Sequence, residues 1–147
     1  MPNVAVNNTE QLRLWFRTCP AIASSKRFGV DFSTEKADEY AIFSVPSTLN
    51  TRRNILGEEV LEDVQTQNFI FSSNAYFGAD TQQNLINLGF HQAIVDWIVE
   101  QNAERHFPNW DGGQIESILP TLTAAPVQAG STVARYQIQL KIKYRRI

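Results

Sequence analysis

The chain has 147 residues, 43% of them hydrophobic and 11% aromatic, which fits one domain with a single sizeable core and excludes a disordered chain. A formal net charge of −2 gives no general attraction to nucleic acid or anionic membrane, and a lone cysteine, Cys19, excludes an intrachain disulfide and a thiolate zinc cluster. The start, MPNVAVNNTEQ, has no basic region ahead of an apolar one and no run is long enough to span a bilayer, so neither a secretion signal nor a membrane helix is expected.

In chain order, residues 8–19 read as a first helix, with Asn8 and Gln11 at capping-box spacing and Leu12, Trp15, Phe16 and Cys19 on one stripe, stopped by Pro20. Cys19 on that stripe is a small core residue. Residues 21–37 are irregular and polar. A first strand is expected over 39–45, apolar on both parities and closed by Pro46. Residues 46–59 show no period and read as an exposed loop arm carrying Arg52 and Arg53.

A long second strand is expected over 60–74, followed by a turn at 75–79. The longest periodic run is 80–107, a helix that Asp80 and Gln83 can cap as a box and that Pro108 ends, with Leu85, Ile86, Phe90, Ala93, Ile94, Trp97 and Ile98 gathered on one broad side. After the NWDGG turn a third strand is expected over 114–123, short or bulged at Pro120, then a loop with Pro126 and Gly130. In the last segment Tyr136, Ile138, Leu140, Ile142 and Tyr144 alternate with Gln137, Gln139, Lys141, Lys143 and Arg145, one face core and one wet. The expected fold is therefore α+β: one domain over 1–147, two helices packed on a mainly antiparallel four-stranded sheet, order α-β-β-α-β-β, with a loop arm at 46–59.

No catalytic constellation is visible. His91 with Asp96 or Glu100 could be drawn as an acid–base pair, but a surface or partly packed histidine explains His91 as well, and His106 stands alone. There is no nucleophile elbow, phosphate loop or dinucleotide fingerprint. No enzyme activity, metal or cofactor is expected. Trp15 and Trp97 read as core and Trp110 as a loop anchor. The basic last strand turns its aromatics away from its cations, which argues against direct nucleic-acid recognition. Surplus strand length instead suggests assembly through sheet edges and arms.

Over residues 68–102, NFIFSSNAYFGADTQQNLINLGFHQAIVDWIVEQN, and again at 134–144, ARYQIQLKIKY, the sequence resembles the tail terminator or tail-completion proteins of tailed bacteriophages, often labelled minor capsid proteins. The shared pattern is an aromatic strand, a turn with Tyr76 and Gly78, a helix start at Asn84 and Leu85, the run WIVEQN, and a last strand opening Arg135-Tyr136-Gln137. The resemblance implies a structural virion protein of α+β fold that forms a ring, usually a hexamer, on the head-proximal end of the tail tube. Such a ring ends tube polymerisation and joins tail to head. Its partners would be the tail tube protein and the head–tail connector protein, with DNA passing through the lumen without sequence-specific contact, and it would be found in the virion and, during assembly, in the bacterial host cytoplasm. A head–tail connector or stopper protein, or a small non-viral α+β binding module, is the alternative.

Charge is unevenly placed. Glu58, Glu59, Glu62 and Asp63 form an acidic cluster, while Lys141, Lys143, Arg145 and Arg146 crowd the last strand. Two arrangements are open: the two groups meet across neighbouring subunits of a ring, with Arg52 and Arg53 on the reaching arm, or they pair within one chain.

Overall fold

The computed structural model describes residues 8–22, 26–31, 37–76, 78, 80–129 and 133–146, with backbone alone for 122–129. Parts of the irregular segment at 21–37, of the turn at 75–79 and of the loop at Gly130 lie outside the described residues. Elements follow in the order α1 (Asn8–Phe16), β1 (Phe28–Val30), β2 (Glu39–Val45), β3 (Thr51–Arg53), β4 (Glu59–Leu61), β5 (Val64–Tyr76), α2 (Thr81–Glu104), β6 (Gly113–Ala129) and β7 (Val133–Arg146).

The α+β class is as expected, but the sheet has five strands in the order β1-β2-β5-β7-β6, not four. β1 adds a parallel edge to β2, while β2–β5, β5–β7 and β7–β6 are antiparallel. Three residues cannot show an alternation, so β1 is invisible to pattern reading. The same holds for β3 and β4, which pair into a separate hairpin inside the arm expected to be loop. The strand expected over 60–74 thereby divides: Glu59–Leu61 belongs to the arm, and the sheet strand begins at Val64.

The core lies on one face of this sheet. Phe69 and Phe71 of β5, Ile138, Leu140 and Ile142 of β7, and Ile115 and Ile118 of β6 meet Leu12, Trp15 and Phe16 of α1 and Ile94, Val95 and Ile98 of α2. Phe16 stacks on Phe71 at 4.9 Å between ring centroids, and Trp15 meets Trp97 at 4.6 Å, so the two helices are joined to the sheet and to each other by aromatic contact. In β5 burial stops alternating at Phe71–Asn74, where four successive residues are buried, and the inward position Gln65 is polar. Gln65 is buried because its amide donates to the carbonyls of Asn50 and Glu62 and accepts from the Asn50 N–H, tying down the root of the arm.

Asp80 caps α2 as expected, accepting from the N–H groups of Gln82 and Gln83, but Gln83 does not reach back; its amide donates to Asn87 within the helix. α2 ends before Pro108. Arg105 takes the left-handed conformation, φ 58°, and the N–H groups of Arg105 and His106 return to the carbonyls of Asn102 and Gln101. Asn8 does not cap α1 by the expected box either. Its side chain exchanges two hydrogen bonds with the backbone of Asp111, strapping α1 to the NWDGG turn.

Both edges of the sheet are blunted. β6 is far longer than the expected strand and runs through Pro120 and Pro126, tolerated because it is an edge and broken by four register shifts. The carbonyl oxygen of the Asn102 side chain on α2 accepts from its Ile118 N–H at 3.0 Å. At the other side, beyond the end of β1, the Asp31 carboxylate accepts from the Ser44 N–H at 2.7 Å. Proline, bulges and capped donors are how sheets avoid edge-to-edge growth.

Candidate functional site

Cys19 and His91 are placed for packing. Cys19 is buried, and burial pushes its thiol up from its ordinary range, away from the reactive thiolate. His91, expected at the surface or partly packed, is fully buried and stacks on Tyr136 at 4.8 Å. Its Nδ1 lies 2.6 Å from the Asn87 carbonyl, which can only accept, so Nδ1 holds the ring proton. Nε2 is buried without a hydrogen-bond partner among the described residues. Burial depresses the His91 pKa, and neither Asp96 nor Glu100 accompanies it: Asp96 is on the solvent side, accepting from Gln92.

Among the described residues no cluster of His, Cys, Asp and Glu could hold a metal ion. A shallow depression of about 380 Å³ between the end of α2 and the start of β6 is lined by Arg105, Phe107, Trp110 and Gln114, and Arg105 is its one charged side chain. No group there is paired for proton transfer.

The charged residues singled out by sequence fall in two places. Arg52, Arg53, Glu58 and Glu59 lie on the exposed β3–β4 hairpin, whose tip presents Ile55 and Leu56 almost wholly to solvent. Lys141, Lys143 and Arg145 line β7 on the face of the sheet away from the helices, alternating with buried Leu140 and Ile142. The structure brings the two regions together within one chain: β5 pairs Val64 with Arg145, and the Arg146 N–H donates to the Asp63 carbonyl at 2.7 Å. The carboxylate of Glu62 faces Arg52 at 3.8 Å, inside the arm, and Arg145 pairs with Glu116 of β6 at 3.2 Å. Lys141 and Lys143 make no ion pair among the described residues.

No family model and no curated sequence matches the chain. Among the described residues no helix is long and apolar enough to cross a membrane.

Sequence reading missed the outward face of α2. Leu85, Ile86 and Leu88 are 62%, 58% and 42% exposed, while the polar Asn87 and His91 between and after them are buried. The first turns are thus reversed in polarity. The reason lies beneath them: the Asn87 amide donates to the Tyr76 carbonyl at 2.6 Å and reaches the Tyr136 hydroxyl at 3.4 Å, so the sheet at this end offers polar partners that a leucine could not satisfy. Gly89 sits within the exposed patch, and a Cβ there would meet nothing within 4 Å. The available signal was the chain's own: the apolar residues of α2 are spread around its circumference more widely than one buried stripe requires.

Proposed function

We propose that this chain is a non-enzymatic structural protein of a phage or phage-like tail, closing as a ring of like subunits on the head-proximal end of the tail tube to end its growth and join it to the head. The observation that carries the reading is the outward apolar face of α2, Leu85, Ile86 and Leu88, on a chain whose described titratable groups are not arranged for chemistry. A surface of that kind is stable in water when a partner covers it. The sequence resemblance over 68–102 and 134–144 names the assembly in which such a partner would be repeated. The exposed hairpin, with Ile55 and Leu56 at its tip and Arg52 and Arg53 along one strand, is the element suited to reach the tube protein or the connector. Residence in the virion, and in the bacterial host cytoplasm during assembly, follows from that role.

The test is genetic and structural. Deleting the coding sequence from the particle that carries it should give tails of uncontrolled length that fail to join heads, seen by electron microscopy, and supplying the protein should restore both. Tails of normal length joined to filled heads in its absence overturn the reading.

A further inference from the structure

The sheet has a front, covered by α1 and α2, and a back, and the outward faces of α2 on the front and of β7 on the back carry opposite charge. On the front, α2 has no Lys or Arg from Thr81 to Glu104, and its outward charges are Asp96, Glu100 and Glu104. Asp96 and Glu100 have no ion-pair partner among the described residues. On the back, β7 points Lys141, Lys143 and Arg145 to solvent, and Glu116 neutralises Arg145 alone. Each surface also keeps apolar area in the open: Leu85, Ile86 and Leu88 on the front; Leu119, exposed, with the partly covered Phe43, Val45 and Ile70 on the back. Register places these back residues in one band, since Phe43 pairs with Ile70, Ile70 with Gln139, Val45 with Asn68, Asn68 with Lys141, and Lys141 with Leu119.

We infer that the outward face of α2 in one copy packs on the back of the β2-β5-β7-β6 sheet of a second copy, front to back. This rests on the proposed function only in taking the partner to be another copy of this chain. Helix on sheet is the packing that each side already uses internally, and the second copy's helix would give the sheet a layer on its bare face. Charge decides the direction. Front on front sets acid against acid and back on back sets base against base, so a two-fold dimer is repelled, while front on back sets Asp96 and Glu100 against Lys141 and Lys143. A contact between two different surfaces of the same molecule is head-to-tail and closes into a ring when its rotation divides a full turn. Gly89, with no side chain at the centre of the front patch, lets the two backbones approach closely.

The test is charge exchange followed by light scattering after size exclusion. The front variant is D96K/E100K and the back variant K141E/K143E; all four positions are exposed, and circular dichroism checks that each variant keeps its fold. Wild type should form a closed oligomer that loosens with salt. Each variant alone should run as a monomer, since it presents like charge on both faces. An equimolar mixture should recover an oligomer, because the basic front of one meets the acidic back of the other. A third variant, Leu88→Lys, should lower association with both charge rows intact. Variants that assemble as wild type does, a mixture that stays monomeric, or wild type that is monomeric at every concentration overturns the inference. Wild-type rings with unaffected charge variants would place the contact elsewhere and leave the tail reading standing, whereas charge-swap rescue together with normal tails in the deletion would do the reverse.

Discussion

Along residues 94–104, α2 turns Ile94, Val95 and Ile98 inward and Asp96, Glu100 and Glu104 outward; along residues 81–93 it turns Asn87 and His91 inward and Leu85, Ile86 and Leu88 outward. One continuous helix therefore answers two surroundings. Its second half meets the aliphatic middle of the sheet, its first half the end where Tyr136 and the Tyr76 carbonyl stand. The second half resembles the surface helix of any globular protein. The first half secures itself by hydrogen bonds and leaves its apolar side exposed.

The largest break in this comparison is expected in the second half. Ile98 is fully buried, so Ile98→Ala removes packed side chain and leaves a cavity, costing about 2–5 kcal/mol in urea or thermal unfolding of the isolated chain. The equivalent outward truncation, Leu88→Ala, should stay within about 0.5 kcal/mol in that same measurement, because water already reaches the position.

Protonation tests the first half. Burial lowers the His91 pKa from its ordinary 6.5, so the unfolded chain takes the proton more readily than the folded one. The neutral ring's contribution is then fully present above pH 6.5 and is lost as the pH falls from there toward the depressed folded value. The urea midpoint should decline over that range, and His91→Phe should flatten the decline even if it lowers the plateau; an unchanged slope would mean that His91 is charged or solvated in the folded state.

The smallest effect is expected at Gly89. It is helical and its Cβ position is empty, so Gly89→Ala should stabilise the isolated chain by about 0.5–1 kcal/mol. The comparison sharpens if the same change weakens self-association, since the added methyl would stand at the contact inferred above.

Much of this was legible from residues alone. β2 occupies the expected 39–45, Asp80 begins α2, and β7 alternates as written, because each of these has a strong local cause: a proline stop, a cap, a clean period of two. Other features have no local cause. Pro120 looked like a limit to its strand, yet β6 passes through it because its other side has no ladder to break, a fact about neighbours. Asn8 has the composition of a cap and spends its amide on Asp111, far along the chain. His91 is apolar-facing by position but polar by chemistry, and only Tyr136 and Asn87 explain why it goes in. The arm's acids and the last strand's bases stood out in sequence, but the two segments meet through backbone, Arg146 N–H to the Asp63 carbonyl, because β5 lies beside β7.

The position of β7 also governs how the chain is made. It joins β5 to β6, and it follows both in the chain, so neither has its full ladder until synthesis has passed Arg146. Until then Phe69 and Phe71 of β5 have a partner on one side only, β2, and the nascent chain carries an aromatic strand with one open edge. Pairing over such separations is slow, roughly milliseconds to seconds for sheet-rich domains, so the hazard of misassembly lasts until β7 is in place. A ribosome that stalls within β7 would release a sticky fragment, and a chain that includes β7 seals its own sheet.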